Sequence, residues 1–525
     1  MQRRRDARPR TTLALGCAAA LLLPLSGCGG SEAPPASTDA STASDSPANQ
    51  EARSDEGNGA NAARTVFERA PIAPRGAGAT RPDGGRPDVL LISIDTLRAD
   101  RLGCYGNARP TSPTIDALAA RGVRFDDAYA PDCGTAQSHA TMFTGALPAA
   151  HGVYNAPDSN MRTINPLFTT IVEELDDAGY QTIVHNEGGQ LQRGMGFERG
   201  ADHAAFRSKG MRRTLEEFEE VLGYTDGDEP LFAFFHTYEV HAPYLPPRVY
   251  EGETFHGRFT TEGEGGDFEQ RYDELVRNQQ RDTGAAKTFL EPYEGLTKEH
   301  VAWLSALYDE GVLFMDHLLA RLLERWDEVR GLENTLVVLV SDHGDQIGED
   351  NKFGHQLGLS TELTHIPFVV AGPGVAPGVV EGPVGLRAVA GTILEHLGHA
   401  RPAHMEVSVA DLLATPGDTR VLEGVAHQQV LRGSTFGIVT DAFHAMGLFR
   451  DPPRGLPLLL LGDASRFERL PDDAKDEPRY REVYEEGRQR YLRDRRISDA
   501  APPGTRAMEA GAREELEALG YLEDR

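Results

Sequence analysis

Asp342-His343-Gly344 sets a carboxylate and an imidazole side by side, directly after Thr335-Leu-Val-Val-Leu-Val-Ser341. That run is apolar and largely β-branched, the pattern of a strand buried on both faces. An earlier run, Asp88-Val-Leu-Leu-Ile-Ser-Ile94, leads into Asp95. In open α/β sheets ligands bind outside the carboxyl ends of the strands, so both runs deliver acids to one edge. Carboxylates and imidazoles are ligands for divalent cations. Singly, Asp95 reads as a strand-end cap and His343 as a buried, hydrogen-bonded histidine. Taken as a set at two strand ends, Asp95, Asp342 and His343 read as a site for a divalent cation, the chemistry of metal-assisted ester cleavage.

The elements that must position these residues follow an α/β pattern. Ser112-Pro113 opens a helix over Thr114 to Arg121, with Ser as N-cap, Pro at the first helical position and Gly122 as the stop. Val123 to Ala128 reads as a strand, Ala136 to Thr144 as a helix stopped by Gly145, and Phe168 to Ala178 as an amphipathic helix. Strands are expected over Gln181 to Asn186, Leu231 to His236 and residues 367–371. Between the last two, Glu299 to Trp326 reads as a long helix, and after them residues 386–397 read as another. Strands alternating with helices predict a mostly parallel central sheet covered by helices on both faces, spanning residues 87–400. Residues 401–525 read as a small C-terminal α+β subdomain: strand-like pieces in Val421 to Val439, a charged helix over Arg479 to Arg493, and a short helix over Arg513 to Leu522.

The amino end reads as a processing signal. Arg3, Arg4, Arg5, Arg8 and Arg10 precede an apolar stretch, Thr12 to Pro24, too short to span a bilayer. Leu25-Ser26-Gly27-Cys28 then resembles a bacterial lipoprotein signal, which implies removal of residues 1–27 and a lipid anchor on Cys28. Gly29 is not the Asp that favours inner-membrane retention, so the expected place is the cell envelope, at the outer membrane or the periplasmic face. Residues 28–86, rich in Ser, Ala, Gly and Pro, have too few large apolar residues to bury a core and read as a tether. The formal charge of −28 excludes nucleic acid as a partner. Cys104 and Cys133 either pair or remain separate thiols; the sequence leaves both open.

Several ordered motifs resemble the sulfatase family, within the alkaline phosphatase superfamily. They are Asp88-Val-Leu-Leu-Ile-Ser-Ile-Asp-Thr-Leu-Arg-Ala-Asp100, Arg109-Pro-Thr-Ser-Pro-Thr-Ile-Asp-Ala-Leu118, Thr135-Ala-Gln-Ser-His-Ala-Thr-Met-Phe-Thr-Gly145, Glu239-Val-His-Ala-Pro-Tyr244, Ser341-Asp-His-Gly344, Phe353-Gly-His355 and His365-Ile-Pro367. The resemblance implies that Asp95, Asp342 and His343 are metal ligands. Where sulfatases offer a second acid this chain has Thr96, as the phosphonate and phosphodiester hydrolases of the group do. An oxygen-dominated shell makes Ca²⁺ the first choice, with Mg²⁺ or Mn²⁺ as alternatives. A two-zinc site would need another Asp-x-x-x-His; Asp309-Glu-Gly-Val-Leu313 does not supply it, so one ion is expected.

The family nucleophile is a Cys or Ser oxidised to formylglycine, with Pro or Ala two residues on and Arg four residues on. In this register the nucleophile is Thr135, followed by Gln137 and His139, and Cys133 lies two residues upstream. No formylglycine is expected. Thr135 also suits a helix N-cap, and a helix N-terminus favours a bound anion. The resemblance makes His241 the acid that protonates the leaving group. His355, with Lys352 as a rival, falls near the Lys that touches the ester's non-bridging oxygens, and His139 stands in for the supporting Arg. His151 and Glu362 read as scaffold.

A Thr ester cannot expel its anion by breaking its own C–O bond, as a formylglycine hydrate does. This tilts the expectation toward phosphoester or phosphonate substrates over sulfate esters. The expected partner is a small-molecule, glycan or lipid ester, with specificity in loops 187–210 and 248–296. The alternatives are a phosphoryl head-group transferase of the same superfamily and a ligand-binding relative with a decayed site.

Overall fold

The computed structural model describes residues 71–153, 160–207, 210–225, 227–279, 295–355 and 358–416, with short stretches between 426 and 507. The signal, Cys28, the tether as far as residue 70 and the helix expected over Arg513 to Leu522 lie outside the described residues. Among those described, no helix is long and apolar enough to cross a membrane.

The central sheet has eight strands. They are β1 (Asp88–Ile94), β2 (Val123–Tyr129), β3 (Gln181–Asn186), β4 (His203–Phe206), β5 (Leu231–Thr237), β6 (Thr335–Ser341), β7 (Phe368–Ala371) and β8 (Gly378–Gly385). The order is β8-β2-β7-β6-β1-β5-β3-β4. Only β7 runs against its neighbours; every other pairing is parallel. The expected mostly parallel sheet is therefore present.

The apolar runs are continuous because both faces are covered. Val89 and Leu91, Phe232 and Phe234, and Leu336, Val338 and Val340 pack on one face. Leu90 and Ile92, Ala233 and Phe235, and Val337 and Leu339 pack on the other. The first face is covered by α2 (Thr135–Thr144), α3 (Ile171–Asp177) and α7 (Ala388–His396). The second is covered by α1 (Pro113–Ala120), α4 (Met211–Leu222), α5 (Gly266–Gln279) and α6 (Lys298–Arg330).

Helix limits shift where caps decide them. The expected start at Phe168 moves to Ile171 because Thr170 and Glu173 form a reciprocal capping box. The long helix begins after Thr297, capped with His300, and runs to Arg330. Its last turn is fixed by a buried ion pair: Arg330 Nε and Nη2 donate to the two Asp88 oxygens at 3.0 and 2.7 Å. Asp88 also accepts from Leu231 N at 2.7 Å, so one carboxylate ties α6 to the starts of β1 and β5. Stranding either charge of such a pair costs about 3–5 kcal/mol.

Two regions differ from expectation. Residues 71–86, assigned to the tether on composition, lie against the domain: Ile72 and Arg401 exchange backbone hydrogen bonds of 2.7 and 2.8 Å, and Ala79 N donates to His396 O at 2.8 Å. Backbone pairing of this kind needs no large side chains, so composition does not reveal it. In the C-terminal part, five short strands from Ala426–Val430 to Glu468–Arg469 form a separate antiparallel sheet in sequence order. Of the helix expected over Arg479 to Arg493, the described residues from 489 onward are helical and continue to 498. Thr505–Ala507 then pairs with Asn160–Arg162.

Candidate functional site

Register builds the centre of the site. Ile94 pairs with Ser341 on one side and with Thr237 on the other. The next residues, Asp95 and Asp342, thus emerge side by side from adjacent strands, and His343 follows Asp342. Ligand atoms of Asp95, Asp342 and His343 lie within 4.8 Å of one another, and all three residues are buried. The backbone makes the room. Gly344 passes so close to the Glu362 carbonyl oxygen that a Cβ would collide with it. Thr96 is held at φ +55°, a conformation that costs a β-branched residue on the order of 1–3 kcal/mol. The strain turns the chain so that Thr96 N faces Asp342 Oδ1 at 3.3 Å, while Thr96 O accepts from the Tyr308 hydroxyl at 2.8 Å.

These donors fit a divalent cation. Asp95 Oδ1 and Asp342 Oδ2 are buried and have no hydrogen-bond partner among the described residues, a costly arrangement for acids unless a cation answers them. His343 Nδ1 faces the Gly344 carbonyl oxygen at 2.9 Å and so carries the hydrogen, leaving the Nε2 lone pair for the site. Burial first, then the charge of Asp342, pushes the Asp95 carboxyl well above its usual range. Two such acids resist ionising together without a positive charge between them.

Thr135 is the first residue of α2, and its side chain turns into this cluster. Its hydroxyl donates to Asp95 Oδ2 at 3.1 Å and lies 3.4 Å from His343 Nε2. The dipole of the helix end favours negative charge here. His139 lies one turn on, with its Nδ1 3.6 Å from Asp342 Oδ2. It is wholly buried, its Nδ1 donates to the Thr135 carbonyl oxygen at 2.8 Å, and its Nε2 accepts from Ser93 Oγ at 2.9 Å. It therefore braces the backbone of Thr135.

His241 and His355 meet on the far side. Each Nδ1 faces a backbone carbonyl oxygen, Ala242 O at 2.6 Å and Cys133 O at 3.0 Å respectively, so each carries a hydrogen there. Their Nε2 atoms lie 3.1 Å apart. A hydrogen bond between them would require a third proton, shared by the two rings. Burial and then His355 push the His241 imidazole down to about 3. The His355 ring also packs on His343, with centroids 4.3 Å apart. Lys352, its rival in sequence, is exposed to solvent. Cys133 and Cys104 are both free thiols.

His151 joins Thr141 and Val153 through its two ring nitrogens, and so belongs to the scaffold. Three residues of the site escape sequence reasoning. His236, in β5, lies buried with its Nε2 3.7 Å from Asp95 Oδ2. Gln190 and Tyr238 meet in the loops after β3 and β5, where the Gln190 N–H donates to the Tyr238 hydroxyl at 3.0 Å. None of the three sits in a motif; alternation along β5 places His236 on the same face as Phe232 and Phe234, and that is the one signal available.

Comparison with known proteins gives consistent results. The family model described as Sulfatase matches residues 87–399. An arylsulfatase of Clostridium perfringens is 24% identical over 400 residues, covering 64% of this chain and 80% of that protein. Human iduronate 2-sulfatase is 24% identical over 333 residues, covering 55% of this chain and 60% of that protein. Among solved structures, one determined with its substrate D-glucosamine-2-N,6-O-disulfate superposes with a TM-score of 0.59 at 19% identity, covering 78% of this chain and 98% of that chain. The phosphonate monoester hydrolase of Agrobacterium radiobacter gives 0.57 at 19% identity, covering 78% of this chain and 95% of that chain. These two likenesses establish the fold.

Proposed function

Because the chain belongs to the sulfatase family of ester hydrolases, we propose that it is a metal-dependent hydrolase of phosphate or phosphonate esters with Thr135 as its nucleophile. The observation that carries the proposal is the approach of the Thr135 hydroxyl to Asp95 Oδ2 and His343 Nε2, at 3.1 and 3.4 Å. Asp95, Asp342 and His343 would hold one cation, Ca²⁺ as first choice, whose charge when bound would ease ionisation of the hydroxyl and draw electron density from the ester oxygens.

The chain's own residues supply the rest. Thr135 Oγ attacks phosphorus in line, its proton passing to Asp95 Oδ2, which already accepts from it, while the bond to the leaving oxygen breaks. The His241–His355 pair, with its shared proton, protonates that oxygen. His139 holds the main chain of Thr135 so that the attack angle is set before substrate arrives. The resulting Thr ester is opened by water at phosphorus, which restores the hydroxyl. The tilt toward phosphorus rests on this last step, since a Thr ester has no route to expel sulfate by C–O cleavage.

A panel of para-nitrophenyl esters tests the reading on the metal-loaded full chain. The kcat/KM for phosphodiester or phenylphosphonate should exceed that for sulfate. The reverse order would remove the phosphorus preference and return the chain to sulfate chemistry.

We also propose attachment to the bacterial envelope through a lipid on Cys28. Labelled palmitate should enter the full-length chain in a bacterial host and should not enter Cys28→Ser; equal labelling of both would refute the anchor.

A further inference from the structure

The loop after β3 contains Gly188-Gly189-Gln190, and its geometry serves one side chain. Gly188 and Gly189 both have positive φ, +77° and +59°. A Cβ on Gly189 would lie 2.6 Å from the Tyr238 hydroxyl oxygen, so only glycine lets the loop come this near. That hydroxyl accepts from Gln190 N at 3.0 Å and donates to Gly188 O at 3.3 Å. Leu191 N closes the turn on Gly188 O at 2.8 Å, and Gln192 Nε2 donates to Gly189 O at 2.9 Å. The main chain of the loop is thus pinned from several directions.

The Gln190 side chain is directed onto the N-terminus of α2. Its Oε1 accepts from Ala136 N, the residue after Thr135, at 3.3 Å. This contact fixes the sense of the amide, because a backbone N–H needs an acceptor. The other branch, Nε2, therefore remains beside the same helix end, one peptide from the Thr135 hydroxyl. Gln190 is 1% exposed, yet among the described residues Nε2 has no hydrogen-bond partner. A buried amide with two idle N–H bonds is costly unless something arrives to accept them.

We propose that Gln190 Nε2 donates to a non-bridging oxygen of the anionic ester group bound over Thr135. The inference rests on the site reading above and deepens it. It supplies a neutral, preoriented donor on the side of the anion next to α2, while the histidine pair addresses the leaving oxygen. Donors placed in advance around developing charge are effective because nothing must reorganise as the reaction proceeds. The donor would serve sulfate and phosphate alike, so it is independent of the preference for phosphorus.

The experiment separates this role from simple helix capping. Gln190→Glu keeps an acceptor oxygen for Ala136 N but replaces the donor with a second oxygen. Inorganic phosphate and sulfate are titrated calorimetrically into the metal-loaded full chain carrying Thr135→Ala, with and without Gln190→Glu. The substitution should weaken anion binding by about 10- to 100-fold, the range for losing one hydrogen bond to a charged group. Gln190→Met, which loses both donor and acceptor, should weaken binding similarly and also lower Tm. Unchanged anion affinity in Gln190→Glu overturns the proposal and leaves capping as the residue's role. Failure of the parent to bind either anion would overturn the site reading and this proposal together, whereas a sulfate preference in the ester panel would leave Gln190 in place.

Discussion

Thr135→Ala lowers kcat on the best ester of the panel by about 10⁴-fold or more, with little change in the affinity for substrate. The substitution removes the attacking oxygen and leaves the acids, the imidazoles and the helix end where they are. Thr135 is fully buried at the start of α2, and an Ala fits its space without clash. The residual rate measures what binding and electrostatics achieve without a nucleophile. Thr135→Ser retains the oxygen but loses the branching methyl that restricts χ1, so it should fall only on the order of tenfold. A ligand-binding relative with a decayed site would show no such contrast, because neither variant would change a negligible turnover. A fall of less than about tenfold in Thr135→Ala would remove Thr135 from the chemistry.

The second large effect concerns the cation, and its sign differs between states. Metal analysis of the purified chain should find one divalent ion per chain, and chelation should reduce turnover on the order of 10³-fold or more, restored by adding Ca²⁺, Mg²⁺ or Mn²⁺. Binding to the folded state alone also raises stability by mass action, so chelation lowers Tm. In the stripped protein Asp95 and Asp342 oppose each other in a buried setting. Asp95→Asn relieves that opposition and supplies an N–H, so it should raise the Tm of the metal-free protein while abolishing the rise on adding metal. Calorimetry with and without chelator reads both signs in one series. Full activity in excess chelator, or an equal metal-induced rise in Asp95→Asn, would contradict the assignment.

The parts of the fold legible in the sequence are those written in local chemistry. Unbroken apolar runs mark β1 and β6, because both faces of these strands are covered. Pro113 marks the start of α1 as expected, but the Ser112 side chain makes no capping hydrogen bond there; Asp316, distant in sequence, accepts from Thr114 N and Ile115 N instead. The start of α3 is set by Thr170 with Glu173 three residues on, a signal that outranks the apolar Phe168 before it. The start of α6 is set locally by Thr297 and His300, but its end is set by a partner far away: Arg330 extends the helix because its guanidinium meets Asp88, 242 residues distant.

The candidate site divides in the same way. Asp95, Asp342 and His343 are readable because strand ends and adjacency announce them. The roles of the histidines are not, because role depends on which ring atom meets which group. His139 lies at the family's Arg position yet turns to the Thr135 carbonyl and Ser93, and no spacing conveys that. His355 is distinguished from Lys352 only by its contact with His241. Gln190 is invisible in sequence, a polar residue in a glycine-rich loop, until the fold shows its amide spanning to Ala136 N.

The central claim is that the Thr135 oxygen becomes covalently bonded to the ester anion. Acid quenching of the metal-loaded chain during turnover of a phosphorus ester, followed by mass spectrometry of the peptide carrying Cys133 and Thr135, tests it directly. The account predicts a fraction of that peptide bearing the phosphoryl or phosphonyl group on Thr135, absent in Thr135→Ala. An unmodified Thr135 throughout turnover, together with an aldehyde at Cys133, would contradict it.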